Sequence, residues 1–495
     1  MLDQNQTPLL DALKANATRS HAAFYMPGHK QGKGISQPLA DLLGEAVFRA
    51  DLTELADLDN LFAPQGVIQE AQQLAAQAFG ASQTWFLVNG STCGVEAAIL
   101  ATCGSGDKII LPRNVHSSAI AGLILSGAVP IFLNPEYDPI LDIAHSITPT
   151  AVESALQQHP DAKAVLTVYP TYYGVCGDLR AIANITHQYN IPLLVDEAHG
   201  AHFSFHPELP TPALAAGADL TVQSIHKVLG AMTQASMLHI QGNRIDSDRI
   251  SKALQLLQST SPSYILLASL DAARQQMALH GKMLMSDTLQ LAQEARTKIS
   301  QIPGLSVLSP PFQGGLGGSP GFVALDKTRL TVTVSHLGLT GFAADEILDE
   351  KFAVTAEFPS QQHLTFIISF GNTAADIQQL VQSFTILAQE NRPTSATIQN
   401  YIWQEIAETP NTNLYLSPRE AFFAVSETLP LTQTCDRICA EIVCPYPPGI
   451  PVLMPGEIIT ISVLDYLQQI QAMGGFISGC NDMSLQTLKV VKSRI

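Results

Sequence analysis

Charged side chains are scarce in this sequence, where Asp, Glu, Lys and Arg make up 14% of 495 residues. Basic residues are the scarcer kind, with 26 Lys and Arg against 43 Asp and Glu, so the formal net charge is −17. Because nucleic acid binding requires clustered basic side chains and the sequence has no such cluster, we expect no nucleic acid partner. An acidic field can concentrate small cationic molecules, although plain solubility is the simpler reason for most of this charge.

Long apolar runs are absent as well. The sequence has no run of ~18 uncharged apolar residues, the length needed to cross a membrane. Residues 1–20 lack the basic and apolar regions of a secretory signal. We therefore expect a cytoplasmic protein with no membrane partner. The seven cysteines are an odd, scattered set without a CxxC pair, which indicates buried thiols rather than disulfides or a metal site.

What the sequence does have is core material, since apolar residues make up 46% of the chain. A chain of 495 residues is too long for one ordinary core, so about two to four domains are expected. Together with the low fraction of charged residues, this composition favours a surface that is partly covered by another subunit.

Short apolar runs alternate with amphipathic segments through the first half of the chain. The predicted strands are residues 85–88, 108–111, 129–133, 164–168, 193–195 and 220–222, and the predicted helices include 8–19, 66–79, 151–158 and 179–189. This βαβ rhythm predicts an α/β fold with a mainly parallel sheet and helices on both faces. Two helices around a break at 259–263, a long helix to about 302 and a smaller unit follow, and a linker near Pro393 precedes a third unit.

Two of these strands end on residues that can perform chemistry. Strand 193–195 ends on Asp196, and strand 220–222 is followed by Ser224, His226 and Lys227. Because parallel strands place their carboxyl ends at one edge of a sheet, the acid and the lysine are expected in one crevice. Pyridoxal phosphate requires this pair, a lysine amine for a Schiff base and an aspartate beside the pyridine nitrogen. Either half alone is common in α/β proteins.

Two further segments are compatible with a cofactor. Ser91 and Thr92 precede a helix predicted from Val95, where hydroxyls and free backbone N–H groups bind an anion, or where one of them simply caps the helix. His116 enters another predicted helix, and its ring could stack on a planar cofactor or be structural.

The longer motifs carry a family resemblance. They are PGHKQGKG, DLTELADLDNLFAPQG, VNGSTCG, RNVHSS, VYPTYYGVCGDL, VDEAHGAH, QSIHKVLGAMTQASMLH, STSPSYILLASLDAAR and PYPPGIPVLMPGE. In this order the chain resembles the ornithine/lysine/arginine decarboxylases, pyridoxal-phosphate enzymes of fold type I, the aspartate-aminotransferase fold. The resemblance implies an N-terminal helical segment (1–20), a PLP-binding large domain (21–285), a small α+β domain (286–391) and a C-terminal α+β domain (392–495).

The resemblance also implies roles for individual residues. Lys227 is similar to the lysine that binds the cofactor covalently, Asp196 to the aspartate at its pyridine nitrogen, and His116 to the histidine stacked on its ring. Lys227 and His199 are the candidates for returning a proton to Cα after carbon dioxide leaves. Further positions match residues around the phosphate of the same subunit, Ser91, Thr92, Ser224 and His226, or of the neighbouring subunit, Thr260 or Ser261.

Some departures from the family pattern indicate a branch. Only 26 residues precede PGHK, whereas the large acid-induced members begin with an extra receiver-like domain, and those members carry Trp at the position of His199 and Lys at that of Ser117. The chain therefore resembles the shorter biosynthetic branch, which implies arginine decarboxylation to agmatine for polyamine synthesis by a homodimer or dimer of dimers with shared active sites. Lysine and ornithine remain alternative substrates.

Substrate choice requires a carboxylate for the distal cation. Glu441 matches a family position suspected of that role, although it could be an ordinary residue on a helix surface, and Asp57 and Asp59 are further options. Two other functions stay open, an aminotransferase and a non-catalytic regulator with the same fold. The strand TFIISFGN lacks the arginine with which aminotransferases of this fold usually bind the substrate carboxylate, and intact Lys227 and Asp196 disfavour a regulator.

Overall fold

The structure, a computed structural model, describes residues 2–311, 319–391, 414–446 and 449–492. The predicted linker near Pro393, most of the glycine-rich segment QGGLGGSPG, and Pro447 and Pro448 of the proline-rich segment lie outside the described residues. Contacts divide the chain into two compact units. The first combines Met1–Thr102 with Leu194–Leu284, and the second combines Cys103–Leu193 with Met285–Ile495.

The helices largely follow the predicted amphipathic segments. In the described ranges they are α1 Pro8–Thr18, α2 Gln37–Leu43, α3 Glu45–Ala50, α4 Val67–Phe79, α5 Gly90–Thr102, α6 Ser117–Ser126, α7 Pro149–Gln158, α8 Leu179–Gln188, α9 Ala213–Ala216, α10 Ile225–Val228, α11 Ser247–Leu257, α12 Tyr264–Ser300, α13 Gly341–Phe352, α14 Ala374–Glu390, α15 Pro418–Phe423 and α16 Ile461–Ala472. The two segments predicted as separate helices after the break at 259–263 form one helix, α12. None of the described helices is long and apolar enough to cross a bilayer.

The strands are short. They are β1 Gln83–Leu87, β2 Lys108–Pro112, β3 Val129–Leu133, β4 Tyr137–Asp138, β5 Ile143–Ala144, β6 Ala164–Val168, β7 Val175–Cys176, β8 Leu193–Asp196, β9 Leu220–Gln223, β10 Ser236–Ile240, β11 Ser306–Val307, β12 Ala324–Leu325, β13 Arg329–Thr333, β14 Phe358–Pro359, β15 His363–Ile367, β16 Ser426–Pro430, β17 Cys444–Tyr446, β18 Phe476–Ser478 and β19 Thr487–Val491. The six strands predicted for the first half of the chain correspond to β1, β2, β3, β6, β8 and β9.

In the first unit, four strands lie side by side in the order β1, β10, β9, β8. β8 and β9 are parallel, whereas β10 is antiparallel to both of its neighbours. All residues of β8, β9 and β10 are buried, as expected for strands that helices cover on both faces. β10 is not among the predicted strands.

In the second unit, β2 lies between β3 and β6 and is parallel to both. Helix α6 connects β2 to β3, and α8 connects β6 to β8. The parallel pairs of both units and their helical connections confirm the predicted α/β fold with a mainly parallel sheet.

Two smaller assemblies complete the second unit. Strands β11, β13, β15 and β14 form an antiparallel sheet, and apolar residues from this sheet, α12, α13 and α14 make one buried cluster. The C-terminal segments form a separate cluster around Leu453, Leu467 and Val490, with β16 paired to β19 and β17 paired to β18. Both assemblies combine helices with antiparallel strands, as predicted. The exact domain boundaries at 20, 285 and 391 remain predictions.

The cysteines carry free thiols. Five of them are buried, Cys93, Cys103, Cys176, Cys439 and Cys444, while Cys435 and Cys480 are half-buried. Burial raises the pKa of the Cys93 and Cys444 thiols to about 12, so these groups stay protonated at neutral pH and pack as small apolar side chains.

Candidate active site

Two parallel strands, β8 and β9, bring the predicted acid and lysine to one edge of the first unit. Asp196 lies opposite Val222, and the backbone N–H of the next residue, Glu197, donates to the carbonyl of Val222 at 2.9 Å. β9 ends at Gln223, and the chain turns directly into α10, which carries Lys227. The carboxyl ends of both strands therefore lie together, as expected for Asp196 and Lys227.

Lys227 and His199 are in direct contact. Nζ of Lys227 lies 3.0 Å from Nε2 of His199. The His199 side chain is buried and that of Lys227 is half-buried. An amine and an imidazole nitrogen at this distance share a hydrogen bond and can exchange a proton. The structure thus brings together the two residues predicted as proton donors.

The main chain orients the carboxylate of Asp196. This side chain is buried at the end of β8, and its Oδ1 accepts a hydrogen bond from the backbone N–H of Ala198 at 3.1 Å. This hydrogen bond fixes the position of one carboxylate oxygen of Asp196. Its donor is a backbone N–H, so it does not depend on the side chain at position 198. An ionised carboxylate retains acceptor capacity on its second oxygen for a ligand.

Glu197, the second acid of the pair, has a structural environment instead. Its fully buried carboxylate accepts hydrogen bonds from the backbone N–H of Ala213 at 2.8 Å, the hydroxyl of Thr221 at 2.9 Å and the side-chain amide of Gln223 at 2.8 Å. Burial raises the pKa of Glu197 to about 7, although these three donors act in the opposite direction. Glu197 thus fastens β9 and α9 to the end of β8.

The predicted anion site lies at the N-terminus of α5. This helix begins at Gly90 rather than at the predicted Val95, so Ser91 and Thr92 belong to its first turn. Ser224, at the end of β9, donates its hydroxyl hydrogen to Oγ of Ser91 at 2.7 Å. Backbone N–H groups in a first turn have no partner within the helix and favour negative charge. Two hydroxyls and a helix N-terminus therefore converge, and the start of the helix at Gly90 places Ser91 and Thr92 within its first turn rather than before it.

A glycine permits this close approach of α5 to the strands. A Cβ atom on Gly94 would lie 2.6 Å from Cγ1 of Val222 and 2.7 Å from Cδ1 of Leu87. Carbon atoms cannot approach to such distances, so any larger residue at position 94 would push α5 away from β1 and β9. Gly94 is the last residue of the motif VNGSTCG, and the structure shows that the contacts with Val222 and Leu87 require a glycine at this position.

His226, beside Lys227, is held neutral. Burial, followed by the positive charge of Lys227, lowers the pKa of His226 to about 4. Its backbone N–H donates to the carbonyl of Ala235 at 3.2 Å, which ties α10 to the segment before β10. A neutral imidazole has one donor and one acceptor nitrogen and can serve a ligand with either.

Thr260 and Ser261 lie in the segment that links α11 to α12. Both side chains are exposed, and the backbone N–H of Ser261 donates to Oγ of Ser259 at 3.1 Å. Exposure is required of residues that reach a neighbouring subunit. Their role at a second active site stays a prediction.

His116, which belongs to the second unit, is the N-cap of α6. Its Nδ1 accepts a hydrogen bond from the backbone N–H of Ser118 at 3.2 Å and lies 2.9 Å from the Ser118 hydroxyl. The backbone N–H of Ser117 donates to the carbonyl of Gly449 at 3.1 Å. Because Nδ1 is an acceptor, the proton of the neutral ring lies on Nε2. The structural alternative for His116 is therefore real, and stacking of its ring on a cofactor stays a prediction.

The loop that carries His116 is anchored by the proline-rich motif near the C-terminus. The guanidinium of Arg113 donates to the carbonyls of Pro451 and Val452 at 2.7 and 3.0 Å and to Oε2 of Glu457 at 3.0 Å. Glu457 also accepts from the backbone N–H of Met454 at 3.0 Å. These contacts give PYPPGIPVLMPGE a physical function, and Arg113 and Glu457 are absent from the predicted site because this pairing joins distant parts of the sequence.

Glu441, the predicted substrate-binding acid, lies in the C-terminal assembly of the second unit. Its Oε2 accepts from the backbone N–H of Asn481 at 2.9 Å and its Oε1 from that of Lys489 at 2.7 Å. The alternative that Glu441 is a helix surface residue is wrong, because it is buried and lies outside the helices. Two backbone bonds orient a carboxylate without neutralising it, so recognition of a cation remains a prediction.

The two further acidic options differ in their surroundings. The Asp57 carboxylate is exposed and lies 4.0 Å from the guanidinium of Arg19. The carboxylate of Asp59 accepts several backbone hydrogen bonds at the start of α4, including one from Gly66 at 2.8 Å and one from Ile68 at 3.1 Å. Asp59 is therefore a helix-capping residue, which makes it the weaker substrate-binding option of the two.

Comparison with known sequences agrees with this geometry. A sequence model described as Orn/Lys/Arg decarboxylase, major domain, matches residues 7–376, and one described as Orn/Lys/Arg decarboxylase, C-terminal domain, matches residues 402–482. The chain belongs to the Orn/Lys/Arg decarboxylase family. The predicted family and enzyme class are thereby confirmed.

Several relatives in this family match the chain almost from end to end. An arginine decarboxylase of Bacillus subtilis (strain 168) is 40% identical over 493 residues, which cover 100% of this chain and 99% of the relative. An arginine decarboxylase of Halalkalibacterium halodurans is also 40% identical, over 499 residues that cover 99% of each chain. The solved constitutive lysine decarboxylase of Escherichia coli has a TM-score of 0.82 at 23% identity, over 99% of this chain and 82% of that chain. The last comparison confirms the predicted fold.

Removing the Glu457 side chain is expected to destabilise this decarboxylase by ~2–4 kcal/mol, because Arg113 would keep a largely buried positive charge without a carboxylate. Thermal unfolding of Glu457→Ala measures the loss. The matched control is Glu427→Ala, since the Glu427–Arg437 pair lies in the same assembly but is more exposed, with an expected cost below ~1 kcal/mol. Equal losses in both variants would contradict the anchoring of the His116 loop by Glu457.

Proposed function

We propose that this chain is a pyridoxal-phosphate-dependent decarboxylase that converts L-arginine to agmatine and carbon dioxide. The observation that carries the proposal is the identity of 40% with a Bacillus subtilis arginine decarboxylase over 100% of this chain and 99% of that one. Identity at this level over nearly the whole length of both sequences favours a common reaction, and the site geometry is compatible with it.

The residues of the first unit fit the chemical groups of pyridoxal phosphate. Lys227 supplies an amine for its aldehyde, and the buried carboxylate of Asp196 supplies an anion for its pyridine nitrogen. The first turn of α5, with Ser91, Thr92 and the neighbouring Ser224 hydroxyl, supplies donors for a phosphate. The aldehyde, the pyridine nitrogen and the phosphate of the cofactor thus each have a partner of the right chemical type within one compact unit.

Two other residues are assigned supporting roles. We assign to the ring of His116 the stacking position, held by the N-cap contact with Ser118 and by the anchored loop. Neutral His226 is assigned to the surroundings of the phosphate, where its N–H can donate. Thr260 or Ser261 would reach the phosphate of the neighbouring subunit.

The reaction breaks the bond between Cα and the carboxylate carbon and places a proton on Cα. Bound pyridoxal phosphate supplies the electron sink that accepts the electron pair of the broken bond. The hydrogen-bonded pair of Lys227 and His199 holds a proton at Nζ or Nε2, 3.0 Å apart, and can deliver it to Cα. The buried ring of His199 limits access of water to this proton.

Recognition of arginine requires a carboxylate for the distal guanidinium. We propose Glu441 for this role, because its oxygens are oriented by two backbone N–H groups and keep free lone pairs. A guanidinium binds a carboxylate through two parallel hydrogen bonds, whereas an ammonium group binds as a point charge. The net charge of −17 also favours attraction of a basic amino acid.

A substrate panel tests this proposal. The holoenzyme is incubated with arginine, lysine and ornithine, and the amine products and carbon dioxide are quantified. We expect agmatine as the main product and a kcat/KM for arginine that exceeds the others by ~100-fold or more, because a site built for bidentate bonds rejects ligands that leave them unmade. Glu441→Gln should raise KM for arginine more than it lowers kcat.

Other outcomes of the panel would replace the proposal. A higher kcat/KM for lysine or ornithine would assign the chain to another member of the family, and faster transfer of the amino group to a keto acid would make it an aminotransferase.

We further propose that the enzyme acts in the cytoplasm as a homodimer or a dimer of dimers. The molar mass of the holoenzyme in solution, measured by light scattering, tests the oligomeric state.

A further inference from the structure

The second unit contains a cavity of about 140 Å3 that the proposed reaction does not use. Its walls come from the loops after β2, β3 and β6, the β4–β5 hairpin, the start of α13, the loop at β14 and the C-terminal assembly, and the loop after β2 is the one that carries His116. Asp196, His199 and Lys227 are not among the described residues that line it. The volume is similar to that of engineered cavities of ~150 Å3 that hold one benzene molecule, so a small organic molecule fits.

Aromatic rings form much of the cavity wall, contributed by Tyr137, Tyr172, Tyr173, Phe342, Phe358 and Tyr466. Several of them fix one another. The ring centroids of Tyr173 and Phe358 are 5.3 Å apart and those of Tyr172 and Phe358 are 6.0 Å apart, both in edge-to-face contact. Rigid aromatic faces offer apolar contact to an aliphatic chain and attract cations.

One carboxylate faces this aromatic cavity. Asp142 lies in the turn of the β4–β5 hairpin and receives a short hydrogen bond from the hydroxyl of Tyr137. Burial raises the pKa of Asp142 to about 6, and the Tyr137 bond lowers it only in part. Among the described residues, no basic side chain pairs with Asp142. A carboxylate withdrawn from water without a cation is unfavourable, so a cationic ligand would stabilise it.

The hairpin holds Asp142 in place. Asp138 accepts hydrogen bonds from the backbone N–H groups of Ile140 and Leu141 at 2.9 and 3.0 Å, which closes the turn. Asp142 itself has a positive φ of 53°, a conformation that aspartate tolerates. The carboxylate is therefore positioned before any ligand binds, which reduces the entropy lost on binding.

Arg113 is the cationic residue of the cavity wall, but its charge is compensated. Its guanidinium binds Glu457 and two backbone carbonyls, as described above. The Arg113 guanidinium is therefore oriented toward these three acceptors and not toward Asp142. Among the described charged side chains that line the cavity, Asp142 is the one without an oppositely charged partner.

We propose that this cavity is a second ligand site, which binds a small aliphatic amine or guanidine with its cationic group on Asp142 and its chain against the aromatic rings. This class includes agmatine, so the choice of agmatine as the physiological ligand rests on the proposed function. The existence of the site does not rest on the proposed function, because it is inferred from the cavity, the aromatic rings and the carboxylate of Asp142.

Equilibrium dialysis of the holoenzyme with radiolabelled agmatine tests the site. The wild-type enzyme is expected to bind two molecules per chain, one at the active site and one in the cavity. Asp142→Asn, which keeps the shape but removes the charge, should weaken one of the two by ~10-fold or more. Ala144→Phe places a ring in the cavity from β5 and should remove the same binding event. Asp138→Asn is the matched control, because its amide oxygen can still accept the hydrogen bonds from Ile140 and Leu141 and only a charge outside the cavity wall is removed, so both events should stay intact.

The readout separates this site from the proposed function. Binding is measured without catalysis, so an enzyme that decarboxylates lysine instead of arginine would still show the second event with an amine. Thermal unfolding confirms that each variant folds. If Asp142→Asn does not fold, binding to Ala144→Phe alone decides whether the cavity is a ligand site. The same number of bound agmatine molecules in the wild type and in a folded Ala144→Phe overturns the proposal, as does loss of the cavity event in Asp138→Asn.

Discussion

Lys227→Ala is expected to lower the rate of decarboxylation by ~10⁴-fold or more and to abolish the visible absorbance of covalently bound cofactor. Lys227 is the proposed point of covalent attachment, and its Nζ is one end of the 3.0 Å contact with Nε2 of His199. Alanine removes both the attachment and the proton that this contact holds. Steady-state kinetics with arginine and an absorbance spectrum of the purified variant measure the two losses separately.

Two comparison variants isolate the cause of that loss. Lys252→Ala removes an exposed lysine from α11 of the same unit and should leave rate and spectrum unchanged. His199→Gln removes the imidazole but not the lysine, so the visible absorbance should remain while kcat falls by ~10²–10⁴-fold, the usual contribution of a proton donor. A Lys227→Ala enzyme that keeps activity within ~10-fold of the wild type would exclude covalent catalysis by this residue.

Some of this site could be read from the sequence because its parts are local. LLVDEAH and LTVQSIHK each contain an apolar strand and the functional residue that follows it, so one segment specifies both the strand and the position of the side chain. Parallel pairing then requires the ends to meet, and Asp196 does lie opposite Val222. The same logic gave β2, β3 and β6.

Other elements could not be predicted because their local signals are ambiguous. The residues of β10, Ser236–Ile240, are all buried although Ser236 and His239 are polar, so this short segment shows neither strand alternation nor a helical period. Gly281 suggests a break within α12, yet the helix continues through it. A Cβ atom there would lie 3.0 Å from Cβ of Phe205, so the glycine serves packing rather than chain reversal.

Long-range contacts explain what the sequence concealed about the site. Arg113 and Glu457 are 344 positions apart, and Glu441 accepts hydrogen bonds from residues 40 and 48 positions later. No periodicity or short motif encodes such pairings, because they depend on how complete elements pack. Similarly, the cavity around Asp142 is lined by loops, strands and helices from many parts of the second unit, and none of these segments indicates a cavity when read alone.

Asp196→Asn is expected to lower kcat for arginine by ~10²–10³-fold while KM and the visible absorbance of the bound cofactor stay close to those of the wild type. The substitution keeps the shape of the side chain, and the amide oxygen can still accept the hydrogen bond that Ala198 donates to Oδ1 at 3.1 Å. What changes is the charge, since a neutral amide no longer favours a proton on the pyridine nitrogen. The loss therefore falls on the step that breaks the Cα–carboxylate bond and not on binding.

The neighbouring acid is the control that tests whether charge at position 196 is what matters. Glu197→Gln also removes one carboxylate at the end of β8, but Glu197 binds Ala213, Thr221 and Gln223 and has a pKa raised to about 7 by burial. This variant should lose thermal stability, because an amide N–H would face a donor, and should lose less kcat than Asp196→Asn. A larger loss of kcat in folded Glu197→Gln holoenzyme than in Asp196→Asn would contradict the proposal that Asp196 favours the proton on the pyridine nitrogen, and would assign that role to Glu197.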